Sequence, residues 1–247
     1  MKRAYFTIAD ANNLKYYELL KNSLSKFTSD LLILIDEPKI KQLGDPNFFY
    51  RATPIIAKAL FKDYDAVCKL DCDMVILGDL SHIWDGEYDV AVTYNSNPKD
   101  DKNYPIRLLD IHPFSYINAG FMVLKSKIFT ENWLKLCMSE HFGNFQFREQ
   151  DMVNLLVYFF SENFGGPYKI KFLDEGPKWH NMRSKGYTPL VKLIDNKVIL
   201  PKNNEWPTDE DKQLIAYHWG GGNNPDKMKF RLIFPPEIVK YIDSLIK

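Results

Sequence analysis

Residues 4–77 alternate between short apolar runs and stretches of helical period, and this alternation narrows the possible folds more than anything else in the chain. AYFTIAD (4–10), SDLLILIDEP (29–38) and DAVCKLDCDMVIL (65–77) read as strands too apolar to leave a face in water. Between the first two, Leu14, Tyr17, Leu20 and Leu24 recur at helical spacing, and RATPIIAKALFKDY (51–64) reads as the next helix. Such a β-α-β-α-β rhythm builds a mainly parallel sheet covered by helices. The alternation then loosens. YDVAVTY (88–94) and INAGFMVLK (117–125) predict strands on either side of a polar loop, and helices follow over 127–142 and 149–164. The second of these is so apolar that most of its circumference should be covered by protein. YKIKFLD and KVILP read as further strands. Ile238, Tyr241, Ile242 and Leu245 line one face of a final helix, which is expected to pack against the sheet in preference to a membrane surface. With no repeat and no linker, the expected architecture is one α/β domain over 1–247: a central, mainly parallel mixed sheet flanked by helices.

The 32 basic and 32 acidic residues balance, which argues against a nucleic-acid partner. Cys68, Cys72 and Cys137 form an odd, sparse set with no CxxC pair, read as reduced core thiols. The N-terminus turns polar by Asp10, and no apolar run reaches the ~20 residues needed to span a bilayer. With no N-x-S/T site either, a soluble, cytoplasmic chain is expected.

The run at 65–77 carries an anomaly, because Asp71 and Asp73 interrupt it. Isolated carboxylates are costly to bury unless paired, protonated or bound to a metal. Side chains two apart on a strand share a face, so the pair is expected to project together from the end of the third strand. In open parallel sheets that edge is where ligands bind. Two hard oxygen donors suit Mg²⁺ or Mn²⁺, especially if a diphosphate adds more oxygens. D-x-D alone is a weak signal: Asp63/Asp65 and Asp209/Asp211 have the same spacing in polar contexts and are expected to be solvated.

YDAVCKLDCDMVILGDLSHIWD resembles the metal-binding segment of family-8 glycosyltransferases with the GT-A (Rossmann-like) fold, the group that includes glycogenin and bacterial lipopolysaccharide galactosyltransferases. FTIADANN, FFYR, INAGFMVL, REQDMVN and YHWGGGNNPDK resemble other segments of that family, in the same order, over residues 4–229. The resemblance implies a nucleotide-binding half over about 1–94 and a sugar and acceptor half over about 95–247. It implies that Ile8, Asp10 and Asn12 meet the base and ribose, and that Arg51 approaches the diphosphate. Asp71 would bind ribose and metal, Asp73 the metal, and His218 would be the third protein ligand. Asn118 and Gly120 would position the transferred sugar, Gln150 would lie beside the anomeric carbon, and Asp151 would bind sugar hydroxyls. Glu149 stands where an Asp is commoner. In the last motif Asn224 replaces the family's Lys, leaving Lys227 or Lys229 to reach the diphosphate beside Gly220, Gly221 and Gly222. Segments 95–115 and 174–190 are expected to shape the acceptor site.

The implied activity is transfer of a hexosyl or pentosyl group from a nucleoside-diphosphate sugar to a hydroxyl of a carbohydrate or glycan acceptor, with Mn²⁺ or Mg²⁺. UDP is the favoured nucleotide and GDP the other candidate. Retention of configuration is implied, by front-face attack; an inverting outcome would make Glu149 a general-base candidate. A nucleotidyltransferase is the competing enzyme class, but ADANNLKYY lacks the glycine-rich loop such enzymes carry after the first strand. A non-catalytic sugar-binding module is the third reading, with Trp179, Trp206 and Trp219 as stacking candidates.

Overall fold

A computed structural model of the chain describes residues 1–42, 51–95, 115–145, 147–162, 165–182, 187–202, 210–219 and 233–247. Its main sheet has six strands: β1 (Arg3–Ala9), β2 (Leu32–Asp36), β3 (Ala66–Leu70), β5 (Val90–Tyr94), β6 (Ile117–Leu124) and β7 (Ile170–Phe172). Their order is β2-β1-β3-β6-β5-β7. β1 is parallel to β2 and β3, β6 is antiparallel to β3 and β5, and β7 is parallel to β5. Only β6 therefore runs against the other five. The expected mainly parallel mixed sheet is present.

Period-2 alternation splits the sheet's two faces into separate cores. Phe6, Val67 and Met122 belong to one cluster, covered by α3 (Ala52–Leu60), α4 (Lys127–Cys137) and α5 (Glu149–Phe160). Tyr5, Cys68 and Phe121 belong to the other, with α1 (Leu14–Ser25) and the 3-10 turn Ser81–Trp84. The buried face of α1 is Tyr16, Leu19, Leu20, Ser23 and Leu24, a rotation from the predicted face that leaves Leu14 exposed. Ser23 explains the rotation, since its hydroxyl accepts from the Ile76 N–H at 3.0 Å. A strand donor buried beneath the helix needs such a partner. A short helix α2 (Glu37–Lys41) follows β2 directly, capped by the Asp36 side chain, where the sequence suggested only the end of a strand. α5 is covered around Met152, Val153, Leu156 and Val157, but Phe159 and Phe160 in its last turn are about half exposed.

The predicted third strand divides in two. β3 ends at Leu70 and β4 (Met74–Ile76) pairs antiparallel with β12 (Ala216–His218), outside the main sheet. A four-stranded sheet, β8 (Lys178–Trp179), β11 (Lys212–Leu214), β10 (Lys197–Leu200) and β9 (Lys192–Ile194), packs beyond it. The C-terminal helix α6 (Pro236–Ile246) buries Ile238, Ile242 and Leu245 in this third core. All three cysteines are free and buried.

Candidate active site

The carboxyl ends of β1 and β3 and the start of β6 share one edge of the sheet. Asp71, Cys72 and Asp73 do not extend β3; they turn between β3 and β4. Strand alternation therefore does not place the two carboxylates, as the sequence reading assumed. The turn is held from both sides: the Asp71 N–H donates to the Gly120 carbonyl at 2.7 Å, and Met74 pairs with His218. That pairing delivers the imidazole from far along the chain. His218 Nε2 lies 3.5 Å from Asp71 Oδ2 and 3.2 Å from Asp73 Oδ1. Among the described residues, these three side chains offer ligand atoms that all lie within 4.8 Å of one another.

A break in the β5–β6 ladder opens the floor of the site. Val92 pairs with Met122 but Thr93 pairs with Asn118, so the intervening β6 residues are skipped on that side. Bulges of this kind re-aim the chain beside functional sites. Gly120 lies in the skipped stretch. A Cβ there would stand 2.5 Å from Asp71 Oδ2, 2.6 Å from Asn118 Oδ1 and 2.8 Å from His218 Cε1. The close approach leaves room for glycine alone.

A chain of amides sets the tautomer of His218. The Gly120 N–H donates to Asn118 Oδ1 at 2.9 Å, which identifies that atom as the oxygen. Asn181 Nδ2 donates to the same oxygen at 2.8 Å and to Thr93 Oγ1 at 3.1 Å. Asn181 Oδ1 is therefore the atom 3.0 Å from His218 Nδ1, which must carry the proton. Nε2 is then the nitrogen turned toward the two carboxylates, and in a neutral ring its lone pair is placed as a metal ligand requires. Asp73 is only 5% exposed, and its Oδ2 is buried with no hydrogen-bond partner among the described residues. An orphaned buried carboxylate oxygen costs about 1–3 kcal/mol or more. Two hard oxygen donors and one imidazole fit a divalent cation such as Mn²⁺ or Mg²⁺.

Lys69 gave no signal in the sequence reading, although it precedes Asp71 by two within the apolar run. Its ammonium donates to Asp71 Oδ1 at 2.5 Å and to the Ala119 carbonyl at 2.8 Å. Burial lowers its pKa, but Asp71, then Glu149, more than offset this, and the net shift is upward. Burial pushes the Cys72 thiol up as well, helped by Asp73 and Asp71. Burial also drives the Glu149 carboxyl to about 7 against the pull of Lys69 and of Thr53, whose hydroxyl donates to it at 2.8 Å.

The remaining predicted residues are distributed around this core. Ile8 packs at the rim of the first core, Asn12 is exposed, and Asp10 Oδ1 accepts from the Asn13 N–H and Nδ2, both at 2.8 Å. Asp10 thus caps the turn that follows β1. Asp10 also lies within electrostatic reach of Cys72, which puts it near the Asp71–Asp73 turn. Arg51 is the N-cap residue of α3, its guanidinium 4.9 Å from the Phe142 ring centre on the α5 side. Gln150 Oε1 accepts from Asn118 Nδ2 at 3.1 Å and from the Ala119 N–H at 3.0 Å. With both lone pairs engaged, this oxygen is not free to attack a sugar carbon. Asp151 is fully buried, accepting from the Tyr116 hydroxyl and, at 2.7 Å, from the Phe147 N–H. One turn further on, Asn154 brackets Ile117, accepting from its N–H at 2.8 Å and donating to its carbonyl at 3.0 Å, which ties α5 to β6. Arg148, at the N-cap of α5, has φ of 52°, a conformation costly for a side-chain-bearing residue.

Gly220, Gly221, Gly222, Lys227, Lys229 and Trp206, and most of segment 95–115, lie outside the described residues. Segment 174–190 supplies Asn181 to the site's support. Trp179 is buried against Tyr187, and Trp219 meets Tyr16 edge-on. Asp63 and Asp65 are exposed, as is Asp211.

No protein-family model matches the sequence, and no curated protein does. Solved structures do match. LgtC, described as a galactosyltransferase in complex with donor and acceptor sugar analogues, aligns with a TM-score of 0.60 at 15% identity, over 99% of this chain and 96% of its own. WbbM, described as a bifunctional glycosyltransferase, aligns with a TM-score of 0.57 at 15% identity over 99% of this chain; the chain spans about half of its length, 51%. A glycosyltransferase involved in glycosylating the major capsid of PBCV-1 aligns with a TM-score of 0.53 at 14% identity, over 94% of this chain and 100% of its own. The chain has the GT-A glycosyltransferase fold. At such identities a shared fold does not carry chemistry with it, so the activity must be argued from this chain's own residues.

Proposed function

We propose that the chain is a metal-dependent glycosyltransferase. It moves a hexosyl or pentosyl group from a nucleoside-diphosphate sugar, UDP-linked in preference to GDP-linked, to a hydroxyl of a carbohydrate acceptor, with retention of configuration. The observation that carries this reading is the buried Oδ2 of Asp73, without a hydrogen-bond partner among the described residues, in a three-donor set laid over Gly120.

Asp71, Asp73 and His218 would hold Mn²⁺ or Mg²⁺. When bound, such an ion supplies Lewis-acid stabilisation of the diphosphate leaving group. The protein's own contribution is orientation. Asn181 fixes His218, the Gly120 carbonyl anchors the backbone of Asp71, and Asn118 and Ala119 fix Gln150 in advance. Polar groups set before reaction cost no reorganisation at the transition state. In this reading Ile8, Asp10 and Asn12 face the nucleoside, Arg51 and Lys227 face the diphosphate, and Asn118, Gly120 and Gln150 face the sugar. Asp151, with both carboxylate oxygens engaged, acts by holding the start of α5 beside that sugar. The engaged Gln150 oxygen favours front-face attack: the acceptor hydroxyl forms the new bond to the anomeric carbon as the phosphate oxygen departs and takes the hydroxyl proton.

The test is incubation of the purified protein with Mn²⁺ and a panel of nucleotide sugars. Release of UDP with a product of retained anomeric configuration by NMR is the expected result. Pyrophosphate release would instead make the protein a nucleotidyltransferase, and binding without turnover would make it a sugar-nucleotide module. An inverted product would overturn front-face attack and move attention to Glu149.

A further inference from the structure

Strand β3 is buried on both faces, and four of its five residues are apolar; the fifth is Lys69, which is 5% exposed. A lysine is seldom buried this deeply without a partner that needs its charge. Its two hydrogen bonds go to Asp71 Oδ1 and to the carbonyl of Ala119, next to Gly120. Asp71 therefore divides its oxygens. Oδ1 is committed to the ammonium, while Oδ2 faces His218 Nε2.

We propose that Lys69 is a positioning residue that tunes the site for a cation arriving with a diphosphate rather than alone. It limits Asp71 to one metal-facing oxygen, and its charge cancels one of the two carboxylates. Asp71 and Asp73 together carry two negative charges and His218 binds as a neutral ring, so Lys69 leaves the protein's ligand set at a net charge of minus one. That is a poor match for a free divalent cation. The anionic diphosphate restores the balance, and the same ammonium attracts it. Lys69 thus opposes the naked metal and favours the nucleotide, two effects of opposite sign from one buried charge. This inference rests on the metal-site reading above.

The experiment measures binding of Mn²⁺ alone, UDP alone and GDP alone by calorimetry. The proteins are the unmodified chain and its Lys69→Met, Lys69→Gln, Lys69→Arg and Asp73→Asn variants. At such short range, removing a full charge should change affinity by about tenfold or more. Lys69→Met and Lys69→Gln are expected to bind Mn²⁺ about tenfold more tightly and the nucleoside diphosphate about tenfold more weakly. Lys69→Arg, which keeps the charge, should match the unmodified protein in both. Lys69→Gln decides the matter if the Met variant does not fold, because its amide can still donate to Asp71 or Ala119. Both affinities unchanged, or both lowered together as a structural role would have it, overturns the proposal. Failure of the underlying site looks different: Asp73→Asn would then bind Mn²⁺ as well as the unmodified protein does.

Discussion

His218 and His180 are held in the same way, yet among the described residues only His218 belongs to a group that could hold a metal ion. Asn181 holds His218 through Nδ1, and the neighbouring Asp174 holds His180 through Nδ1 at 3.2 Å. Asp174 also accepts from the His180 N–H at 2.7 Å and the Tyr94 N–H at 2.8 Å. Because a carboxylate can only accept, His180 Nδ1 carries a proton. Its Nε2 meets His82 Nε2 at 2.6 Å, where one ring donates and the other accepts. The His218 Nε2 meets two carboxylates, which bring acceptors and no proton. The first arrangement is closed by a hydrogen bond between two rings; the second gathers three side chains that could hold a divalent cation. What faces the second ring nitrogen, and not how the first one is held, separates the two histidines.

The largest expected effect comes from removing one of the two acidic charges that face His218. Asp73→Asn should lower metal-dependent turnover by about 100-fold or more, whereas His82→Gln should leave Mn²⁺ affinity within about threefold. Metal titration and steady-state kinetics check both. A large loss of Mn²⁺ affinity in His82→Gln would break the contrast. Gly120→Ala comes next. Its methyl would displace Asp71, Asn118 or His218, with an expected cost of about 1–3 kcal/mol in melting experiments and weakened Mn²⁺ binding. Asn181→Ala frees the His218 tautomer and should cost about 10–100-fold in metal affinity, while Asp174→Asn should change stability far more than metal affinity.

The smallest effect is in the pH dependence of stability, where two groups act with opposite sign. Burial, aided by the neighbouring His180, lowers the His82 pKa to about 4. Between about 6.5 and 4 the unfolded chain takes up a proton that the native imidazole refuses, so this group withdraws stability as pH falls. Glu149, raised to about 7, does the reverse. The native carboxyl holds its proton up to that pH while the unfolded one has lost it by about 4.5, so stability is gained as pH falls through the same window. Melting temperatures from pH 4 to 7.5 should therefore slope more gently with acid in His82→Gln, and lose the opposing rise in Glu149→Gln. Parallel curves for the two variants would remove the assignment of opposite signs.

Much of this was legible in the chain. The runs at 4–10, 29–38 and 65–77 and the helical period at 51–64 announced a parallel core, because full burial leaves a compositional trace that needs no partner to interpret. Asp71 and Asp73 were legible as an anomaly for the same reason. Their geometry was not. Strand alternation put them on one face, whereas they occupy a turn between strands of two different sheets. Lys69 could have been found as a third charge in the same run, two residues from Asp71. Asn181 could not, because an Asn beside His180 resembles any polar loop residue until β12 brings His218 to it.

By itself, then, the sequence determined which segments must leave water and which acids would suffer for it, since hydrophobic period and composition are local properties. Only the tertiary structure decided how the imidazole that the family resemblance singled out reaches those acids, why Gly120 must be a glycine and which lysine shares their charge. Those contacts join positions far apart in the chain, and distance along a polypeptide says nothing about distance across a sheet edge.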